Sequence, residues 1–323
     1  MKLLVLGGTR FVGRHLAEAA LRDGHSLTLF NRGRSAPGLF PGAETLHGDR
    51  AGDHAALAGG TWDAVVDVSA YRPREVRAAM ASLRGRAGRY VFVSTVSVYR
   101  AFEAGGAEDA PACEPAGDPE PALAPDTYGP LKRACELALE REWGGPWSVA
   151  RPCVVAGPHD SSDRFTYWPA RLARAGRVLA PGAPGAFAQI VDARDLADWL
   201  LLAALGGAPG IFNVAGPPRA FPAFLDDCAP PAGARPDIVF AGDEFLASRG
   251  VVPGTDLPLW LPGRPRPFDA SKAAAAGLRA RPVEETAADV LRWRAAGPLV
   301  AGLDAEREAR LLAEIARQTH QAD

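Results

Sequence analysis

The most reactive pair of side chains at a fixed spacing in this sequence is a phenol and an ammonium. Tyr128 and Lys132 stand four residues apart in a run with a helical pattern, and residues four apart lie on one helical face. A free phenol ionises near pH ~10, and a neighbouring ammonium stabilises its phenolate. The pair therefore predicts acid–base catalysis by Tyr128 near neutral pH. Thr95, which follows a predicted strand, can hydrogen-bond the reacting oxygen.

A glycine-rich turn near the start of the chain predicts a site for the pyrophosphate of a dinucleotide. The apolar run Lys2–Leu6 reads as a buried strand, a helical pattern follows the turn, and Leu27–Phe30 reads as a second strand. In such a unit the backbone N–H groups and the helix N-terminus bind the negative charge. The alternative is a structural turn that binds nothing. The residues predicted to contact the cofactor here are Gly7, Thr9, Arg10, Phe11, Val12 and Gly13.

One position of this turn departs from the usual glycine spacing. A G-x-x-G-x-x-G motif would place its middle glycine at Arg10. Arginine does not offer the close backbone approach of glycine, although its side chain can reach toward phosphate.

The end of the second strand indicates which dinucleotide is bound. NAD enzymes usually place an acid there for the adenosine ribose, whereas NADP enzymes place neutral and basic residues that receive the 2′-phosphate. Asn31 occupies the position of the acid, and Arg32 and Arg34 lie beside it. The sequence therefore predicts a preference for NADP, with NAD as a possible cofactor. The alternative is a solvated basic turn.

Strands and helices alternate along the following residues, which predicts a doubly wound parallel sheet of the Rossmann type. Further strands are predicted at 43–46, 64–69 and 90–93, and a helix from Pro73 to Leu83. Asp49 is predicted to meet the adenine amino group. The other cofactor candidates near strand ends are Arg50, Ser69, Ala70, Tyr71 and Ser94.

Two long segments show no clear periodicity. Residues 101–127 carry seven acids, five prolines and no lysine or arginine, which predicts a loop over the site. This loop is either simply solvated or an acidic lid that attracts a cationic substrate. Pro217–Pro267 is proline-rich and is predicted to be irregular.

Composition excludes several classes of protein. The 323 residues are 47% apolar with a net charge of −2, so a nucleic-acid partner is not favoured. We expect no signal peptide and no membrane span. The four cysteines show neither metal nor disulfide spacing, which indicates a reduced, cytoplasmic protein without a metal site.

The order of glycine turn, strand-ending Ser-Thr and Tyr-x-x-x-Lys resembles the extended short-chain dehydrogenases/reductases, in the NAD-dependent epimerase/dehydratase branch. The resemblance covers nearly the whole chain and includes Ala150–Pro158, Ile190–Ala197 and Phe212–Gly216. It implies that Thr95, Tyr128 and Lys132 are the catalytic residues, with Ser94 as the near alternative to Thr95. It also implies that Pro152, Cys153 and Val154 close on the nicotinamide.

The resemblance implies two domains and a substrate side. The dinucleotide-binding domain would comprise 1–155 and 187–215, and a smaller C-terminal substrate domain would comprise 156–186 and 216–323. An alternative for the aromatic residues at 165, 167 and 168 is that they are core. The candidate substrate residues are Ser97, His159, Arg164, Tyr167 and Gln189.

Departures from the family pattern bear on the substrate. Sugar-nucleotide dehydratases of the family carry an Asp-Glu pair after the catalytic Thr, where this chain has Val96 and Ser97, so dehydration is not expected. Many nucleotide-sugar epimerases hold the diphosphate with an Asn and an Arg that align with Val154 and Ala188. Neither of these apolar side chains can bind a diphosphate, which weakens the hypothesis of a nucleotide-sugar substrate.

We therefore predict an NAD(P)-dependent oxidoreductase that transfers hydride at a carbonyl or secondary alcohol of a polar small molecule. One alternative is a sugar epimerase that uses the same residues and retains its cofactor. The other is a non-enzymatic RNA-binding or sensor protein, because the glycine motif with Arg10 also resembles an atypical branch that includes chloroplast stem-loop RNA-binding proteins. The resemblance further implies a homodimer.

Overall fold

The chain forms two structural units. The computed structural model describes residues 1–174, 176–182, 185–230, 236–263, 265–294 and 297–322. The first unit comprises Met1–Val155, Val191–Gly216 and Pro267–Ala280. The second comprises Ala156–Ile190, Pro217–Arg266 and Arg281–Asp323.

The elements are numbered in chain order across both units. The strands are β1 (Lys2–Leu6), β2 (Ser26–Asn31), β3 (Glu44–His47), β4 (Trp62–Asp67), β5 (Ala87–Val93), β6 (Trp147–Pro152), β7 (Val154–Ala156), β8 (Arg177–Pro181), β9 (Phe187–Ala188), β10 (Ile190–Asp192), β11 (Gly210–Val214), β12 (Arg219–Ala220) and β13 (Asp237–Ala241). The α-helices are α1 (Phe11–Arg22), α2 (Pro73–Leu83), α3 (Pro125–Glu142), α4 (Tyr167–Leu172), α5 (Ala193–Ala204), α6 (Phe221–Cys228), α7 (Asp243–Ser248), α8 (Ser271–Ala275), α9 (Val283–Trp293) and α10 (Ala305–Ala322).

The first unit is built on a seven-stranded parallel sheet in the order β11-β6-β5-β4-β1-β2-β3. The order reverses direction at β1, which places the end of β1 at the crevice where doubly wound folds bind their ligands. The predicted fold class, a Rossmann sheet with a smaller C-terminal region, is confirmed.

Two apolar layers cover the faces of this sheet. Leu3 and Val5 pack in one buried cluster with α1 and α5, whereas Leu4 and Leu6 pack in a second with α2 and α3. Successive side chains of a strand point to opposite faces, so a strand buried on both faces reads as a continuous apolar run. This explains why β1 shows no alternation in the sequence.

Several predicted boundaries move for identifiable reasons. Strand β4 ends at Asp67 rather than Ser69, because the Asp67 carboxylate accepts the backbone N–H groups of Ser69 and Ala70 over 3.1 Å each. Helix α3 begins at Pro125, where a first-turn proline is well placed. The segment predicted as a loop therefore ends earlier, and it contains a 3₁₀ turn at Phe102–Ala104.

The predicted division into domains differs from the observed units in three places. Residues 187–190 belong to the second unit, whereas Gly216 and residues 267–280 belong to the first. The latter segment is bound to the first unit because Asn213 Nδ2 donates to the Asp269 carbonyl over 3.0 Å. Lys272 Nζ adds a hydrogen bond of 2.6 Å to the carbonyl of Ile211.

The second unit has two small sheets and a helical core. Strands β8 and β13 pair in parallel, and β9 and β12 pair antiparallel. The prediction that 217–267 is irregular was wrong, because the described part contains α6, β13 and α7. In α6, Phe221, Phe224, Leu225 and Cys228 are buried at helical spacing, a pattern that the surrounding prolines obscured.

No helix in the described ranges is both long and apolar enough to cross a membrane.

Helix α3 approaches the turn after β5 so closely that Gly129 has no room for a side chain. A Cβ atom at Gly129 would overlap the carbonyl oxygen of Ser97. The contact sets the position of Tyr128 and Lys132 along the sheet.

We predict that Gly129→Ala lowers the free energy of unfolding by about 1–3 kcal/mol, because the methyl group forces α3 away from Ser97. Chemical denaturation measures the change. Gly117→Ala is the matched control, since a Cβ there meets nothing within 4 Å, and it should shift stability by less than about 0.5 kcal/mol. Equal losses in the two variants would contradict the close approach.

Candidate functional site

A cavity of about 600 Å³ lies at the end of β1 within the first unit. The glycine turn forms one wall, and Gly13 allows its tight course because a Cβ there would lie 2.7 Å from the backbone nitrogen of Gly8. Helix α1 begins directly after the turn without a side-chain cap or an acid in its first turn. Its uncapped N–H groups and dipole favour an anion.

The cavity brings together most of the predicted cofactor residues. Those that line it are Gly7, Thr9, Arg10, Phe11, Val12, Gly13, Asn31, Arg32, Arg34, Asp49, Arg50, Ser69 and Tyr71. Glu75 also lines it and is not among the residues predicted from the sequence. The predicted residues outside its lining are Ala70, Ser94, Pro152, Cys153 and Val154.

The end of β2 supplies the cavity with uncompensated hydrogen-bond donors. Asn31 Oδ1 accepts the Gly33 N–H over 2.8 Å, and Asn31 Nδ2 is buried without a hydrogen-bond partner among the described residues. Arg10, Arg32 and Arg34 form no ion pair in the described part of the chain; Arg10 Nε donates to the Ser35 hydroxyl over 3.1 Å. These donors and cations can bind an anionic or hydrogen-bond-accepting group of a ligand.

Lys132 is buried and hydrogen-bonded to the end of β5 and to the turn after β4. Its Nζ donates to the carbonyl of Val93 over 2.6 Å and to that of Ala70 over 2.7 Å, and the residue is 4% exposed. An ammonium has three donors, so one remains for a third partner. Burial lowers the pKa of Lys132 from 10.5 to about 8, because a charged form is penalised away from water.

The ring of Tyr71 lies near both proposed catalytic residues of α3. Its centroid is 6.2 Å from that of Tyr128 and 5.5 Å from Lys132 Nζ. Since Tyr71 also lines the cavity, the cavity extends to the neighbourhood of the phenol and ammonium that the sequence analysis paired.

Thr95 and Ser97 form a hydrogen-bonded turn beside α3. Thr95 Oγ1 accepts the Ser97 N–H over 3.1 Å and donates to the Ser97 hydroxyl over 3.2 Å. Ser94, the alternative to Thr95, has a buried hydroxyl without a partner among the described residues. Thr95 is thus held in place by its own turn.

The surroundings of Cys153 disfavour reaction of its thiol. Burial raises the pKa of its thiol from 9.0 to about 12. A thiol that does not ionise near neutral pH is a poor nucleophile.

Arg50 lines the cavity and also forms an ion pair with a buried carboxylate. Its guanidinium forms a bidentate pair with Asp67, with nitrogen–oxygen distances of 2.7 and 2.8 Å, and donates to the Ser69 hydroxyl over 2.5 Å. Asp67 was missed, although a lone acid at the end of an apolar strand was a usable signal. The partner of that acid lies 17 residues away along the chain and no spacing rule identifies it.

The four remaining substrate candidates lie in the second unit. Tyr167 is 1% exposed and packs edge-on against Trp168 at a centroid distance of 5.0 Å, in keeping with the alternative that the aromatic residues here are core. Gln189 is 8% exposed. Arg164 is exposed and donates to the Ser162 hydroxyl, and His159 contacts the ring of Trp293 at 5.1 Å.

Replacement of Lys132 by Met yields a prediction about stability and pH. The folded-state pKa of Lys132 is lowered to about 8 from 10.5, so between these values the unfolded chain binds more protons than the folded one. The folded state of the parent protein therefore gains stability relative to Lys132→Met as the pH rises from 8 to 10, by up to ~1.4 kcal/mol per pH unit. Urea unfolding of both proteins from pH 7 to 10 measures the difference. A difference that is constant over this range would contradict the lowered pKa.

Comparison with known proteins agrees with this architecture. A family model described as the NAD dependent epimerase/dehydratase family matches residues 3–215. The chloroplast stem-loop binding protein of 41 kDa b from Arabidopsis thaliana is 29% identical over 261 residues, which are 74% of this chain and 65% of that protein. The chain thus spans slightly less than two thirds of this curated relative.

Solved structures share the fold at low sequence identity. A putative epimerase from Burkholderia cenocepacia has a TM-score of 0.66 at 22% identity, with 91% of this chain and 98% of that chain covered. The Bordetella bronchiseptica enzyme WbmH, solved in complex with NAD⁺, has a TM-score of 0.62 at 20% identity, with 90% and 97% covered. The UDP-glucuronic acid 4-epimerase from Bacillus cereus, solved with NAD, has a TM-score of 0.63 at 15% identity, with 92% and 99% covered.

The family model covers well over half of the chain and includes the glycine turn, the strand ends and helix α3. The resemblance inferred from the sequence is therefore confirmed, and the chain belongs to the NAD-dependent epimerase/dehydratase family.

Proposed function

We propose that this protein is a nicotinamide-dinucleotide-dependent oxidoreductase that acts on a carbonyl or secondary alcohol of a polar small molecule. The observation that carries the proposal is the buried Lys132 ammonium, with one donor left, beside Tyr71 and Tyr128 at the edge of the cavity. A structural lysine would not need a phenol four residues away on the same helix face.

The chain's own residues divide the work at the reacting oxygen. A bound nicotinamide would supply or accept the hydride. Tyr128 transfers the proton, and the Lys132 ammonium stabilises its phenolate and offers its third N–H to the nicotinamide ribose. Thr95 orients the reacting oxygen through its hydroxyl, and the carbonyls of Ala70 and Val93 keep Lys132 in place.

The proposed cofactor is NADP. The support is the absence of an acid at the end of β2, the buried Asn31 Nδ2 donor and the three arginines that line the cavity and form no ion pair with any residue that the structure describes. A 2′-phosphate accepts hydrogen bonds and carries negative charge, so donors and cations favour it over a ribose hydroxyl. NAD is the alternative, since related structures were solved with that cofactor.

Asn31→Asp tests whether the protein prefers NADP or NAD. The substitution replaces only the side-chain amide nitrogen with a carboxylate oxygen. The new carboxylate repels a 2′-phosphate and accepts ribose hydroxyl groups, so we predict that NADPH binds about 10-fold or more weakly and NADH more tightly. Fluorescence titration with each nucleotide measures both constants.

The control for this test is Arg77→Ser. This substitution also lowers the net charge by one unit, but at an exposed arginine that pairs with Glu142. It should leave both constants unchanged. Tighter binding of NADH than of NADPH by the parent protein would overturn the assignment of NADP.

Tyr128→Phe tests the chemistry. The variant should bind NADPH as the parent does and lose about 10²–10⁴-fold in turnover, because only the proton donor is removed. The assay follows NADPH consumption against a panel of polar aldehydes and ketones. Equal turnover by the variant and the parent would overturn the role of Tyr128.

A sugar epimerase is the second candidate. It is favoured by the family and by related structures whose names describe 4-epimerases of UDP-sugars. Such an enzyme holds its cofactor through oxidation and re-reduction, so mass spectrometry of the denatured protein would find a retained dinucleotide and added NADPH would not be consumed. Val154 and Ala188 stand where the family binds the sugar diphosphate, which favours the reductase.

A non-enzymatic RNA-binding protein is the third candidate, favoured by the name of the Arabidopsis relative. The net charge of −2 and the retained Tyr128 and Lys132 favour an enzyme.

We extend the proposal to a cytoplasmic homodimer with a small-molecule substrate. The four free cysteines are in keeping with a reducing compartment.

A further inference from the structure

Two carboxylates hold the segment that follows β4. Asp67 Oδ1 accepts the N–H groups of Ser69 and Ala70 over 3.1 Å each. Glu75 Oε2 accepts the next two, from Tyr71 over 2.9 Å and from Arg72 over 3.2 Å. Four successive backbone N–H groups are therefore bound by two side chains, which leaves this segment little freedom.

Arg50 joins the two carboxylates. Its guanidinium pairs with Asp67 on one side, and its Nε lies 3.7 Å from Glu75 Oε2 on the other. This Nε is buried and has no hydrogen-bond partner among the described residues. Arg50 and Glu75 are each about one-sixth exposed and Asp67 is fully buried, so the charges interact where water screens them little.

A capping role alone does not account for Glu75. It stands at the third position of α2, where an acid commonly accepts the N–H of the residue before the helix. The same oxygen also accepts the Tyr71 N–H, one residue further out, and faces Arg50. Both contacts lie outside the capping pattern: the first holds the segment between β4 and α2, and the second faces an arginine that follows β3.

Residues 69–72, the segment held by these two carboxylates, contact the proposed catalytic residues directly. The carbonyl of Ala70 accepts a hydrogen bond from Lys132 Nζ over 2.7 Å, and the ring of Tyr71 lies beside Tyr128. Any displacement of residues 69–72 therefore moves an acceptor of the Lys132 ammonium.

We propose that Arg50, Asp67 and Glu75 are positioning residues, and that they set the place of the Lys132 ammonium through the Ala70 carbonyl. The catalytic importance of that ammonium rests on the proposed function, whereas its position is a property of the protein without cofactor. Arg50 and Glu75 also line the cavity. The three positioning residues therefore connect the wall of the proposed dinucleotide site with the Lys132 ammonium.

The chain permits a direct test because it contains only three lysines, Lys2, Lys132 and Lys272. Labelling of the lysine side chains with ¹³C at Cε yields three NMR signals, whose shifts report the charge of each ammonium. Lys2 and Lys272 are exposed and serve as internal references. The Lys132→Met spectrum assigns the signal of interest in the dinucleotide-free protein.

Glu75→Ala releases the N–H groups of Tyr71 and Arg72. We expect the Lys132 signal to shift and its titration midpoint to rise by about one pH unit, as the loosened segment admits water to the ammonium. Glu75→Gln keeps a carbonyl oxygen as acceptor and should restore most of the parental midpoint. The references should not move in either variant.

Glu142→Ala is the matched control, because it removes a glutamate that pairs with Arg77 on α2 without touching residues 69–72. A Lys132 titration midpoint in Glu75→Ala equal to that of the parent, or an equal change of this midpoint in Glu142→Ala, would overturn the proposed positioning role. Should Glu75→Ala fail to fold, Glu75→Asp retains the charge and withdraws the oxygen from both N–H groups, with the same expected shift. Failure of NADPH to bind would contradict the proposed function. The Lys132 titration would still test the positioning role, because it is measured without the dinucleotide.

Discussion

The buried carboxylate of Asp67 is the constraint on which the site depends. It has no exposed surface and accepts hydrogen bonds from the Arg50 guanidinium, two backbone N–H groups and the Tyr90 hydroxyl, the last over 2.8 Å. An unpaired buried charge is strongly unfavourable. Although burial raises the pKa of Asp67, Arg50 and these hydrogen bonds outweigh it and hold that pKa below its usual value. The chain must therefore deliver all four partners when it folds.

Those partners come from separate elements and connect the two halves of the site. Arg50 follows β3, Tyr90 lies in β5, and the two N–H groups belong to the turn after β4. Because parallel strands end at one edge of the sheet, partners that are distant in sequence meet there. The glycine turn is at the same edge, so the anion-binding end of α1 and the hydrogen-bonded Lys132 share one scaffold.

Lys132 shows how burial changes the chemistry of a common side chain. An exposed lysine remains charged well above neutral pH, and burial brings the pKa of Lys132 to about 8. Its two carbonyl acceptors hold the nitrogen in place. The balance between charged and neutral forms therefore lies within the range in which enzymes work, and every group that positions the ammonium influences it.

Local signals in the sequence sufficed for the parts of the site that are contiguous in the chain. The glycine turn with its helix, the missing acid at Asn31 and the spacing of Tyr128 and Lys132 were all read from short windows, and the cavity brings the first two together. The pairing of Arg50 with Asp67 and the burial of Tyr167 were not settled by the sequence, because both depend on residues far away in the chain. Tyr167 becomes core where its ring packs against Gly302 as well as against the neighbouring Trp168.

The sequence by itself thus determined the family, the parallel sheet and the residues able to do the chemistry, because backbone periodicity and turn geometry are local properties. Only the tertiary structure decided which charges are paired. Nothing in the linear sequence pairs Asp67 with Arg50; they become partners because the loop after β3 reaches the carboxyl end of β4 in the folded protein. Burial and pairing are properties of three-dimensional neighbours, which no window of sequence contains.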